Sequence, residues 1–232
     1  MQLAIMQPYF FPYLGYWQLI NAVDCFVIYD DVFYTKNGWI NRNRILVNDK
    51  PFYMTVPLEK ASQNRRICDL KTVSTPFWRH KLTKTIRNTY QKSTCFSESF
   101  PVIEQIILHE TNDLADYLFY QLTTLNSFLG ITTKIIRSSR CYNNEDLKGQ
   151  NRILDICKRE QATGYINPKG GQALYDRDSF RIASIDLNFI VTRHQAYKQK
   201  GTGFVSDLSI IDMLMELGSQ GTRQYFGYFD LV

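Results

Sequence analysis

The chain has 232 residues, of which 44% are hydrophobic and 21% charged, the proportions of a globular protein with ample capacity for a core. No apolar run approaches the ~20 residues needed to cross a bilayer, and the N-terminus carries no basic leader, so the expected location is the cytoplasm. Five cysteines, odd in number and without C-x-x-C spacing, argue against both a disulfide framework and structural zinc.

Charge is placed unevenly around the net +5. Residues 36–87 hold twelve Lys/Arg against Asp49, Glu59 and Asp69, whereas residues 98–116 carry five acids and no Lys or Arg. A basic half favours a phosphate-bearing partner such as a nucleotide sugar. No nucleic-acid module or arginine-rich tail is present, so nucleic acid is disfavoured, with aminoacyl-tRNA kept only as one candidate donor. Aromatic residues reach 14%, with 15 Tyr and 15 Phe; tyrosine brings a polar handle, which suits binding surfaces as well as core.

In chain order, Gln2 to Met6 reads as an apolar strand that breaks at Pro8, crosses Tyr9, Phe10 and Phe11, and meets Pro12 before a helix over Tyr13 to Val23. Gly15 near the helix start permits close approach of a ligand or of neighbouring backbone. Cys25 to Tyr29 gives a second buried strand, completing a βαβ opening. Residues 39–58 suggest a hairpin turning at Asn48-Asp49-Lys50, and Ile67 to Val73 a third antiparallel strand. Helices are expected over Pro76–Tyr90, where Trp78, Leu82, Ile86 and Tyr90 recur every four residues, then Phe100–Glu110 and Asp113–Leu129, the last closed by Gly130.

The α/β rhythm resumes with a strand over Thr132–Arg137, a helix over Leu147–Gln161 and a strand over Gly164–Asn167. A Lys169-Gly170-Gly171 loop, a strand over Arg181–Thr192 and a helix over Leu208–Leu217 capped by Asp207 follow. The expected architecture is one α/β, Rossmann-like domain with a mostly parallel sheet, interrupted over residues 34–130 by a hairpin and a helical cluster.

Several groups could carry chemistry. The first strand, the aromatic turn and the helix start line up Gln7, Tyr9, Phe10, Tyr13, Gly15 and Tyr16 where α/β proteins bind anions. Asp30 and Asp31 end the second strand. Extended neighbours point to opposite faces, so one is expected in the pocket, with Asp31 slightly favoured as base or Mg²⁺ ligand. Lys36, Asn41, Arg42, Asn43 and Arg44 form the densest polar cluster. Strand alternation puts the two arginines on one face, ~7 Å apart and suited to a pyrophosphate, and the asparagines on the other. Lys169, Gly170 and Gly171 could form a backbone nest for an anion. No histidine pair has metal-ligand spacing, and no metal site is expected from protein residues alone. His194, just past a strand end, is the one histidine in a catalytic location.

The runs Met6 to Tyr16, Phe26 to Asp31 and Lys36 with Trp39 to Arg44 resemble the WbqC-like family. So do Tyr165-Ile166-Asn167, Gly170-Gly171, Leu174-Tyr175, Phe204, Leu208 to Asp212 and Leu214, so the resemblance spans nearly the whole chain. It implies a place in O-antigen or other surface-polysaccharide biosynthesis and a glycine or other aminoacyl transferase role, with no settled catalytic residue. A partial resemblance links Pro12 to Tyr16 with the H-x-G-H helix of nucleotidyltransferases, Tyr13 and Tyr16 standing for both histidines. That substitution removes the positive charge such enzymes set against ATP phosphates.

The leading expectation is a transferase that attaches a small acyl group, with glycyl as the candidate, to a nucleotide-linked or lipid-linked sugar. ATP with Mg²⁺ is the candidate cofactor. A modified nucleotidyltransferase and a non-catalytic nucleotide-sugar-binding protein are the alternatives.

Overall fold

In chain order the elements are β1 (Gln2–Met6), α1 (Leu14–Asn21), β2 (Cys25–Ile28), β3 (Arg42–Val47), β4 (Lys50–Thr55), β5 (Leu58–Glu59) and β6 (Lys71–Thr72). Then come α2 (Phe77–Tyr90), α3 (Phe96–Leu108), α4 (Leu114–Phe128), β7 (Lys134–Ile136), α5 (Gly149–Arg159) and β8 (Gly164–Pro168). The chain finishes with α6 (Arg177–Ile182), β9 (Asp186–Thr192), α7 (Ile210–Arg223, broken at Gly218) and β10 (Phe229–Leu231). This is a computed structural model that describes residues 1–201 and 203–232.

The central sheet has six strands in the order β10-β9-β8-β1-β2-β7, all parallel except β10, which pairs antiparallel with β9. Alternation along these strands sends side chains to two cores. Ala4, Phe26, Ile28, Ile166 and Ile190 face α1, the inserted helices and α7. Leu3, Ile5, Cys25, Val27, Tyr165, Leu187 and Phe189 face α5 and α6. Strands covered on both faces read as continuous apolar runs, which is how Cys25-Phe26-Val27-Ile28 reads.

Everything between β2 and β7 lies outside the central sheet, and those two strands pair directly. The β3–β4 hairpin forms in register Arg42↔Thr55 through Val47↔Lys50, turning on Asn48 and Asp49, both with positive φ. α2 to α4 pack Trp78, Ile86, Tyr90, Ile103, Tyr117 and Leu122 into the first core. Asp113 caps α4 through the Asp116 amide, and Gly130 follows it with φ of 62°, a left-handed conformation that favours glycine.

Four local expectations change. Ile67–Asp69 is a 3-10 turn, not strand, because its amides bond the loop after β2: Ile67 N–H to the Val32 carbonyl and Cys68 N–H to the Asp30 carbonyl. Only Lys71–Thr72 is extended, and it pairs with β5 rather than with the larger hairpin. Residues 177–182 form α6, capped by Asp176 accepting from the Ser179 amide and anchored by buried Phe180, so the strand starts only at Asp186. Ser209, not Asp207, caps α7. Lys169–Leu174 is a 3-10 helix in which neither Gly170 nor Gly171 has positive φ, so the alternating-hand nest does not form.

Candidate functional site at the carboxyl edge of the sheet

After β1 the chain enters α1 on one face, whereas after β8 it enters α6 on the other. The chain therefore leaves β1 and β8 toward opposite faces, which makes their carboxyl ends the topological switch point of the sheet. Along this edge stand Thr192 at the end of β9 and His194 after it, Asn167 near the end of β8 and Lys169 to Gly171 after it, Gln7 after β1, Asp30 after β2 and Ser138 after β7.

The aromatic turn is built from buried scaffold. Phe10 and Phe11 are wholly buried, and Phe11 has φ of 39°, held there by long-range bonds. Asn43 Nδ2 donates to the Phe10 and Phe11 carbonyls at 3.0 and 2.8 Å, Phe10 N–H donates to the Trp39 carbonyl at 2.9 Å, and Gln121 Oε1 accepts the Phe11 amide at 2.9 Å. Asn41 Nδ2 donates to the Val56 carbonyl, while its Oδ1 accepts the Tyr34 hydroxyl. The two asparagines, poor strand formers, are thus explained by buried backbone groups that need partners. The N-terminal segment and the Asn41–Arg44 cluster are direct neighbours.

Tyr16 is buried too, its hydroxyl donating to the Gln7 carbonyl at 2.9 Å. In the position of the second H-x-G-H histidine, it has no free donor for a phosphate. Gly15 packs against β9: a Cβ there would meet Thr192 Oγ1 at 2.7 Å and the Tyr13 ring at 2.8 Å. Its missing side chain brings the α1 start to the carboxyl edge of the sheet. That start has no side-chain cap and no acid in its first turn, which leaves its unpaired amides suited to an anion.

Around this helix start converge Tyr13, His194, Asp207 and Arg44. His194 Nε2 lies 3.9 Å from Asp207 Oδ1, and both side chains are about half exposed (50% and 44%). Arg44 Nη2 donates to the Asp207 carbonyl at 3.3 Å, its Nε is buried without a partner among the described residues, and its guanidinium lies 5.4 Å from the Trp39 ring. Asp207 has φ of 57°, a left-handed conformation that costs of order 1 kcal/mol or more and gathers at functional positions. Burial, reinforced by Asp207, raises the Tyr13 hydroxyl, and burial pushes Tyr9 up to about 12, so both stay protonated donors. Leu14, His194, Tyr197, Phe204 and Asp207 line a narrow cleft here.

The two aspartates separate sharply. Asp31 accepts from Ser139 and from Arg152 with its two oxygens, in an ion pair closed to solvent. Arg152 Nε also donates to Asn144 Oδ1 at 2.9 Å, and Asn144 donates to Asp155. Asp31 is therefore committed to bracing β2 against α5, which corrects its expected precedence. Asp30 accepts the Ser138 hydroxyl at 2.6 Å through Oδ1, while Oδ2 is buried with no partner. Burial outweighs Ser138 and Arg140 and raises its carboxyl.

Arg42 turns inward on its own loop: it donates to the Gly38 and Asn37 carbonyls and stacks 4.7 Å over Tyr53. With exposed Lys36 it lines a cavity of about 230 Å³ that also touches Tyr34 and Asn41. Lys169 and Gly170 are exposed on the rim beyond β8, and Gly171 packs against the Asn167 amide. Sequence reasoning missed Asp207 as a partner of His194; the thirteen-residue gap carries no spacing signal, and the pair exists only because the loop folds back. It also missed Ser138, whose hydroxyl bonds Asp30. Among the described residues no helix is long and apolar enough to cross a membrane.

A doubly wound α/β protein with an anion-ready helix start beside a His–Asp pair defines the class. The WbqC-like protein family model matches residues 7–224, and the chain belongs to that family. It is also 29% identical over 221 residues, 94% of this chain and 95% of the other, to "Uncharacterized protein Rv1507c" of Mycobacterium tuberculosis (strain ATCC 25618 / H37Rv). No solved structure matches.

Proposed function

We propose that this protein is a transferase of surface-glycan biosynthesis that moves a small acyl group, glycyl in the first instance, onto a nucleotide-linked or lipid-linked sugar. The observation that carries the reading is the exposed His194–Asp207 pair standing at the uncapped start of α1, with Arg44 bonded to the same Asp207. Membership of the WbqC-like family supports the glycan context.

In this reading the acceptor's phosphate sits on the α1 amides and the Arg44 guanidinium, and Tyr9 and Tyr13 stack or donate to the sugar. His194 takes the proton from the attacking hydroxyl or amine while Asp207 orients the imidazole and stabilises the charge it gains. The new bond forms between that oxygen or nitrogen and the acyl carbon. The bond to the donor's leaving group breaks, and His194 returns its proton to that group. Gln7, just after β1, Lys36, and Lys169 and Gly170, just after β8, are secondary binding positions.

The test is direct. The protein is incubated with a panel of nucleotide sugars and three glycyl donors: glycine with ATP and Mg²⁺, glycyl-tRNA and a glycyl thioester. Mass spectrometry of the sugar should show gain of one glycyl residue, lost in His194→Ala. Binding of a nucleotide sugar without mass gain from any donor would replace the transferase by a binding protein.

A further inference from the structure

We propose a second anion site, for a phosphate group on a small molecule, in the cavity at the start of α2. A cavity of about 610 Å³ lies there between α2 and the α3–α4 loop, lined by Ser74, Arg79, His80, Glu110, Thr111 and Asn112. That volume falls in the usual range for small-molecule sites. It lies in the inserted helical cluster, apart from the His194–Asp207 pair, and does not depend on the function proposed above.

Arg79 is the anomaly. It is 5% exposed, yet among the described residues no carboxylate lies within ion-pair distance of it. Its one protein acceptor is the Thr111 carbonyl, 2.6 Å from Nη2, and its Nε is buried with no partner. The guanidinium stacks 4.3 Å over Trp78 and 6.0 Å from the Tyr117 ring, which holds it in place without neutralising it. A buried charge normally has a counter-ion, because an uncompensated one is expensive to desolvate.

Its position sharpens the point. Arg79 and His80 lie in the first turn of a fourteen-residue helix, where the dipole disfavours cations, and that turn holds no acid and no side-chain cap. The Arg79 guanidinium and the Ser74 hydroxyl border one space and share one requirement, an oxyanion, whereas the Arg79 and His80 amides are already bonded to the Pro76 carbonyl. The single acid on the wall, Glu110, is exposed. A tetrahedral phosphate has oxygens enough to take the guanidinium and the Ser74 hydroxyl together and carries more charge than a carboxylate.

The test is titration of the full chain with inorganic phosphate, and in parallel with acetate, followed by amide chemical shifts. Phosphate should shift residues 74–80 and 108–112 and bind more tightly than acetate. His80→Glu, an exposed change that leaves the core untouched, should weaken phosphate at this site about tenfold or more, and Glu110→Gln should strengthen it. Arg79→Met should abolish binding there; if that variant unfolds, His80→Glu and Glu110→Gln carry the test alone. Shifts confined to Leu14, Gly15 and Arg44 would overturn this inference and leave the proposed function standing. Acetate binding as tightly as phosphate would overturn the phosphate assignment, and unchanged affinity in His80→Glu would overturn the site.

Discussion

Replacing Asp31 by Asn separates a structural carboxylate from a catalytic one. The Asp31 side chain is closed to solvent and that of Arg152 is 5% exposed; Ser139 and Arg152 occupy its two oxygens. Asn keeps the shape and can still accept from Ser139, but it leaves the Arg152 guanidinium buried beside a neutral group. Breaking a buried pair from one side costs about 3–5 kcal/mol, because the remaining charge stays uncompensated. Asn144 Oδ1 and the Tyr29 ring, 5.1 Å away, retain part of the Arg152 environment, which favours the lower figure. At about 2–4 °C per kcal/mol for a chain of this size, the midpoint should fall by roughly 6–12 °C. Thermal or urea denaturation measures this directly. Arg152→Met should cost at least as much, and the double variant should cost less than the sum of the two, since it leaves no orphaned charge. A melting point for Asp31→Asn within about 2 °C of the parent would refute the brace, and intact melting with abolished turnover would return Asp31 to the chemistry.

His194→Ala and Asp207→Asn should lower turnover, His194 by ~10²–10⁴-fold as a general base, with stability changed by no more than ~0.5 kcal/mol because both side chains are half exposed; a loss of folding in step with activity would contradict this. Asp30→Asn should be more stable than the parent at pH 7, since it removes a carboxylate whose second oxygen is buried and unpartnered. Asp30 is raised in the folded state, so the folded parent takes up the proton before the unfolded chain does. The parent therefore gains on the variant as pH falls toward ~4, the unfolded carboxyl value, and urea melts showing a constant gap would sink the claim. Gly15→Ala should cost ~1–3 kcal/mol by driving a methyl into Thr192 and Tyr13, and Thr192→Ala in the same chain should recover part of it; an unchanged denaturation midpoint for Gly15→Ala would contradict the close packing.

Much of this was legible in the sequence, because periodicity is a local signal. The apolar runs around Ile5 and Val27 fixed two strands covered on both faces, and the four-residue spacing from Trp78 to Tyr90 fixed α2 and its buried side. Asn43 and the two arginines of β3 alternate as their positions demand, and the motif through Tyr16 carried the family. Where local pattern was ambiguous, capping decided: Asp176 and Phe180 drew the first residues of the expected strand, Arg181 and Ile182, into α6, and the strand starts at Asp186.

Tertiary structure decided what pairs with what. Asp30 and Asp31 are adjacent and chemically identical, yet Ser138 reaches one and Arg152 the other only because β7 and α5 return beside β2. Arg42 and Arg44 share a face, yet a loop turn consumes the first, while Arg44 reaches the Asp207 carbonyl. Arg79 reads as one more surface cation of a basic stretch until the α3–α4 loop closes over it. A sequence specifies the face a side chain takes along its own element. Which group stands opposite, and whether water still reaches it, depends on contacts between residues many tens of positions apart.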